Sequence, residues 1–272
     1  MSHYLFVVEG IHDVAIISKI LMLMEFKEVD RDDQILKPMD KLIIRNFPFY
    51  KNSLNVFNKI PTFYKKEDTQ VCIINAAGET KLLKVLNSVL KKLEFNEMEL
   101  IDKVVVFCDG DLKDKEEKIV DIVERGFEGK KNKIDRFSRE EILNQTLKII
   151  EVEDFTIPFE FYVFPNNKDS GRLENILLET INQVDSELLY NVEEFLKNIP
   201  NEYKQEWSVE NSKYEKTKIA CVGSVLNPGV ANGVHIRDSH WISKETINNS
   251  QALKLIYYLY NHILILMPDY YL

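Results

Sequence analysis

Short runs of apolar, often β-branched residues alternate with longer stretches whose apolar positions recur every three or four residues, from the start of the chain to about residue 181. Residues 5–8 (LFVV), 70–75 (QVCIIN), 104–108 (VVVFC) and 159–164 (FEFYVF) are too short for helices and read as buried strands. Between them, Val14, Ile17, Ile20, Leu21 and Met24 share one helical face, which predicts an amphipathic helix from about Asp13. Leu82, Leu83, Leu86, Val89, Leu90 and Leu93 define a second helix, and Ile119, Ile122, Val123 and Phe127 a third, charged one. Ser138 with Glu141 is a capping box that predicts a helix to about Ile150, and Leu173, Ile176, Leu177 and Ile181 open another. This alternation predicts an α/β fold: a mostly parallel sheet with helices on both faces. Right-handed crossovers then bring the carboxyl ends of the strands to one rim.

Two regions break the pattern. Residues 26–69 are irregular, with Pro38, Pro48 and Pro61, and read as an insertion with a short strand at 41–45. Beyond residue 185 the alternation stops. Residues 188–196, 219–226 and 252–267 read as helices with stops at Pro200, Pro228-Gly229 and Pro268. The expected organisation is an α/β domain at 1–185 and a mainly helical region at 186–272 packed on it.

Composition narrows the chemistry. With 272 residues, 45% of them hydrophobic, there is apolar matter for a substantial core. Cys72, Cys108 and Cys221 lie far apart, which gives neither a disulfide framework nor a zinc site, and the five histidines show no ligand spacing. Met1-Ser2-His3 leads straight into a strand, leaving no room for a signal peptide, and the apolar run at 253–267 is too short for a bilayer. A cytoplasmic protein with no membrane partner is the expectation. The formal net charge of −9 argues against indiscriminate nucleic-acid binding. Carboxylates that hold divalent ions raise the acidic count, however, and the ions invert the sign locally.

Two of the strand runs end in acid. Residues 104–108 continue into Asp109-Gly110-Asp111, and residues 5–8 into Glu9-Gly10, with Asp13 at the start of the following helix. Ligands of open α/β sheets sit outside the carboxyl ends of the strands. If the two strands are neighbours, Glu9, Asp109 and Asp111 converge, an arrangement suited to a hard cation. Gly10 permits a tight turn beside the acid, Asp13 suits a helix N-terminus, and Ala76-Ala77-Gly78 makes the turn after the second strand. Each feature also has a plain reading: Asp-Gly-Asp as a strand-end turn, Asp13 as a helix cap, Glu174 and Lys81 as solvated helix residues.

Phe6-Val7-Val8-Glu9-Gly10-Ile11-His12-Asp13, followed by a helix and then by a strand ending in Asp109-Gly110-Asp111, resembles the Toprim domain. Topoisomerases, bacterial primases, ribonuclease M5-type maturases and the overcoming-lysogenization-defect nucleases share that domain. The resemblance covers residues 3–181. Pro165-Asn166-Asn167, Gly171-Arg172-Leu173-Glu174, and a tail with Asn227-Pro228-Gly229 and Trp241 resemble the small stand-alone Toprim proteins of prokaryotes. No topoisomerase tyrosine module or primase zinc module is recognisable. The resemblance implies a phosphodiesterase dependent on Mg²⁺ or Mn²⁺, a nuclease acting on DNA or RNA. Asp109 and Asp111 would be metal ligands, Glu9 a general acid/base or further ligand, and Glu174 an additional carboxylate. Gly10, Asp13 and Gly78 would support the site, and Lys81 would reach a phosphate oxygen. Two other readings stand beside it. One is a phosphatase of the haloacid-dehalogenase type, against which Leu112 follows the acidic motif where threonine is usual. The other is a Toprim-shaped metal-binding regulatory, toxin or phage-defence subunit without turnover, working with a protein partner or a second copy of itself.

Overall fold

The chain begins as a strand, β1 (Ser2–Val8), and turns at once into the helix α1 (Ile11–Leu23). Two short strands, β2 (Lys27–Val29) and β3 (Thr62–Lys66), precede β4 (Thr69–Asn75) and α2 (Leu82–Leu90). The one-turn helix α3 (Phe95–Met98) leads into β5 (Lys103–Asp109), and α4 (Lys115–Phe127) follows. Next come β6 (Lys133–Ile134), β7 (Phe137–Ser138), the short α5 (Arg139–Leu143), β8 (Thr146–Lys148) and β9 (Thr156–Phe164). Helices follow among the described residues: α6 (Leu173–Val184), α7 (Ser186–Lys197), α8 (Lys213–Leu226), α9 (Asn232–Asp238), α10 (Lys244–Ile247) and α11 (Ala252–Ile263). The structure, a computed structural model, describes residues 1–43, 61–130, 133–134, 136–150, 155–207, 212–248 and 250–263.

Among the described residues seven strands form one sheet in the order β2-β3-β4-β1-β5-β9-β8, while β6 and β7 pair antiparallel on their own. At its centre β1 runs parallel to both neighbours, with Val8 opposite Asn75 of β4 and opposite Phe107 of β5. The continuous apolar runs explain this placement. Leu5, Val7 and Val8 are fully buried, as are Val71 and Cys72, and Val104, Val106, Phe107 and Cys108, so side chains on both faces of these strands leave water. The margins are antiparallel: β3 against β4, β2 against β3, and β8 against β9. The result is an α/β fold, a mixed sheet with a parallel centre, followed by C-terminal helices.

The irregular region thus contributes strands β2 and β3 to the sheet. Where a short strand is expected at 41–45, Met39–Leu42 forms a 3-10 turn, and residues 44 and 45 lie outside the described residues. The capping box at Ser138 forms, with the Ser138 amide donating to Glu141 Oε2 at 2.9 Å, but the helix stops at Leu143 instead of Ile150. Gln145 takes a left-handed φ of 52° and the chain becomes β8. Leu147 and Ile149, both fully buried, follow the two-residue period of a strand. The last helix ends its described part at Ile263, so the expected stretch to 267 lies partly outside the described residues.

Contacts divide the chain into two compact units that interleave in sequence. The first comprises Met1–Val14, Glu25–Cys108 and Glu116–Tyr162; the second comprises Ala15–Met24, Asp109–Lys115 and Val163–Leu272. Inside the first, Phe107 packs against Phe6 and Tyr162 at ring distances of 5.2 and 5.6 Å. Inside the second, the buried Trp241 donates its Nε1–H to Asp185 at 3.0 Å, and the Gln251 amide donates to Glu179 at 2.9 Å. Among the described residues no helix is long and apolar enough to cross a membrane.

Candidate active site

In the first unit, the turn after β1 is fastened on both sides. The Gly10 amide donates to the Asp13 carboxylate at 2.7 Å, and Asp13, buried, sits in the first turn of α1. That carboxylate therefore satisfies an amide that the helix start would leave open. The Glu9 carbonyl accepts the Gly78 amide at 2.9 Å, and Val8 accepts from Ala76 at 2.8 Å, so the turns after β1 and β4 are tied by backbone. Beyond Gly78, Glu79 Oε1 lies 2.8 Å from the buried Lys118 ammonium, which fastens α4 to the same turn. The Glu9 side chain itself is half-buried, and Lys81 is exposed.

In the second unit, the end of β5 is clamped to the segment entering α6. The Gly110 amide donates to Phe164 at 3.2 Å and the Asp111 amide to Gly171 at 2.7 Å. Asp109 Oδ1 accepts the Leu173 amide at 2.8 Å, filling one open position at the start of α6. Arg172 Nε donates to Asp111 Oδ1 at 2.6 Å. Two glycines make this closeness possible. A Cβ on Gly110 would stand 3.0 to 3.2 Å from the carbonyl oxygens of Phe164, Lys113 and Gly171. At Gly171, with φ of 142°, it would meet the Pro165 ring at 2.8 Å.

Glu174 lies in the first turn of α6 and is buried. Its Oε1 faces Lys216 of α8 at 3.7 Å, while Oε2 is buried without a hydrogen-bond partner among the described residues. Burial pushes the Glu174 carboxyl above its ordinary 4.5, against the opposing pull of Lys216. A carboxyl whose folded pKa is raised binds protons more readily in the folded state, so its ionised form costs stability above that folded pKa. The cost disappears as pH falls through the raised value to below 4.5. Glu174→Gln is therefore expected to stabilise the protein at neutral pH. That gain should fade below the ordinary carboxyl range, which urea unfolding at a series of pH values measures. A variant less stable than wild type at neutral pH would contradict the burial argument.

The structure thus gathers Glu9, Gly10, Asp13 and Gly78 into one tied turn, and Asp109, Asp111 and the segment bearing Glu174 into another. Among the described residues no three His, Cys, Asp or Glu side chains are arranged to hold a metal ion. The oxygens at the end of β5 and the start of α6 belong to hard carboxylates, the donor type a divalent ion such as Mg²⁺ takes, and Glu174 keeps an orphaned buried oxygen. Arg172 stands in the sequence only within the Gly171-Arg172-Leu173-Glu174 resemblance, with no role of its own, and Lys216 is not marked at all. Arg172 meets an acid far back in the chain, and Lys216 lies in the helical tail, so no local pattern gives either its partner.

The crystal structure of hypothetical protein PH0156 from Pyrococcus horikoshii OT3 is similar over 97% of both chains, at 19% identity and a TM-score of 0.47. The C-terminal region of the OLD protein of Xanthomonas campestris pv. campestris is similar over 96% of this chain and 98% of that one, at 13% identity and a TM-score of 0.32. No curated protein matches the chain. A family model described as a protein of unknown function, DUF3226, matches residues 3–261, and the chain belongs to that family.

Proposed function

We propose that the protein is a metal-dependent phosphodiesterase of the Toprim type, a nuclease that cleaves DNA or RNA. The observation that carries this reading is the clamped Asp109-Gly110-Asp111 loop. A buried strand delivers two carboxylates to its end, and hydrogen bonds from the entrance of α6 bring Glu174 into the same unit. Asp109, Asp111 and Glu174 would hold Mg²⁺ or Mn²⁺; for Glu9 the Toprim resemblance implies a further ligand or general acid/base. A bound divalent ion supplies positive charge against the phosphodiester and acidifies a water.

The chain's own residues supply the rest. Glu9 stands on a backbone fixed by Gly78, so its carboxylate can accept or return a proton at Oε without the turn rearranging. Arg172 offers a planar guanidinium and Lys216 a half-exposed ammonium, both suited to phosphate oxygens. Local cations of this kind let a chain of net charge −9 meet a polyanion.

Incubating the purified protein with single- and double-stranded DNA and RNA is the test. Cleavage is expected with Mg²⁺ or Mn²⁺, is expected to stop on chelation, and is expected to be lost in Glu9→Gln and Asp111→Asn. Cleavage that survives both substitutions sinks the proposal. Metal binding without cleavage of any nucleic acid would favour the regulatory or defence-subunit reading.

A further inference from the structure

Most of this chain is acidic, and one stretch is not. Residues 125–139 hold Arg125, Lys130, Lys131, Lys133, Arg136 and Arg139 against only Glu128 and Asp135. That is a net +4 inside a chain of net −9. One or two cations here would serve the C-terminal end of α4, whose dipole favours positive charge. Six in so short a run exceed what a helix end uses. In the first unit this stretch walls a cleft of about 500 Å³, lined by Glu124, Arg125, Phe127, Glu128, Lys130 and Arg139. Phe127 is buried, so the rim is made of charged side chains. Arg125 holds Asp121 at 2.8 Å and reaches Glu79 at 3.5 Å, and Arg139 pairs with Glu124. Lys130 is exposed and has no ion-pair partner among the described residues. Beside Glu79 stands Gly78, whose amide donates to the Glu9 carbonyl, so one arginine links the cleft to the Glu9 turn.

We propose that this basic cleft is a docking surface for a nucleic-acid backbone, one that uses none of the acidic strand-end residues. The choice of partner rests on the nuclease reading, whereas the surface itself rests on its charge. Clustered ammonium and guanidinium groups release the counterions of a polyanion, a gain that a partner with scattered carboxylates lacks. Guanidiniums also take phosphate oxygens in pairs. The acidic remainder of the chain repels a polyanion elsewhere and so steers it to this stretch. An anionic bilayer fits the cleft poorly, because peripheral binding calls for apolar side chains that insert. Here the aromatic is buried, and Glu124 and Glu128 share the rim.

Fluorescence anisotropy of labelled single-stranded and duplex oligonucleotides, with a chelator present and salt varied, tests this. At about 0.1 M salt, where the screening length is about 10 Å, Lys130→Glu is expected to bind about five- to tenfold more weakly than wild type. Its salt dependence is expected to flatten by about one to two ions. Glu128→Gln is expected to bind more tightly than wild type. Lys254→Glu makes the same charge change outside the stretch, in α11, and should stay within about twofold of wild type. Thermal melts check folding; should Lys130→Glu not fold, Lys130→Gln, with a smaller loss, carries the test. Unchanged binding by the folded Lys130 variant, or equal weakening in Lys130→Glu and Lys254→Glu, overturns the docking surface and leaves the nuclease reading standing. Salt-sensitive binding that Lys130→Glu weakens, with no cleavage under any metal, supports the surface and overturns the nuclease reading. Binding to phosphatidylserine vesicles but to no oligonucleotide would assign the stretch to a membrane and overturn the proposal.

Discussion

Asp109→Ala is expected to lower metal-dependent cleavage by about three orders of magnitude, the scale of several kcal/mol of transition-state stabilisation. It is also expected to cost about 1 kcal/mol of stability, because the Leu173 amide at the start of α6 loses its acceptor. Asparagine separates the two effects. It keeps an oxygen where Oδ1 stands, so Asp109→Asn should unfold in urea almost as wild type does. It lacks the negative charge, so single-turnover cleavage should fall nearly as far as in the alanine variant. An asparagine variant that retains more than about a tenth of wild-type cleavage would remove Asp109 from the chemistry, since a tenfold loss is only ~1.4 kcal/mol.

Trp241→Ala is expected to have the largest effect on stability, about 3 to 5 kcal/mol, the range for deleting a large buried aromatic. Trp241 is fully buried in the second unit, and its ring lies 6.4 Å from that of the buried His235. Its Nε1–H donates to Asp185, the residue between α6 and α7, and its carbonyl accepts from Thr246 Oγ1 at 2.7 Å. Removing the indole opens a cavity and takes a donor from Asp185, which keeps His240 at 3.3 Å. Trp241→Phe fills most of the volume but not the hydrogen bond, and should lose about 1 to 2 kcal/mol. Scanning calorimetry measures both. An alanine variant within about 1 kcal/mol of wild type would mean that the indole packs loosely, against its complete burial.

The legible part of this fold is the part decided by local pattern. Residues 104–108 carry an unbroken apolar run, and such a run has few places to go except the middle of a sheet. That Asp109, Asp111 and Glu9 stand at strand ends is likewise legible, because they follow directly on such runs. The margins were harder. At Phe63 and Tyr64 two buried aromatics are followed by two lysines, which signals neither helix nor strand until β4 pairs with them. Around Gln145 a helix gives way to a strand at a left-handed residue that is not glycine, so no breaker announces the change. Arg172 illustrates a different limit. Its charge is visible in the sequence, but its partner is chosen by the strand end that the fold delivers to it. Pairing across such distances is a property of tertiary structure, which local spacing does not encode.

Both outer strands of the sheet, β2 and β8, are three residues long, and each carries a lysine at one end. A free strand border is an invitation to a passing chain, since its unpaired amides and carbonyls can template another strand. Here each border offers too short a ladder for that, and a cation that a neighbouring copy would have to desolvate. The protein can therefore keep a strongly hydrophobic sheet centre while remaining resistant to growth into fibrous stacks.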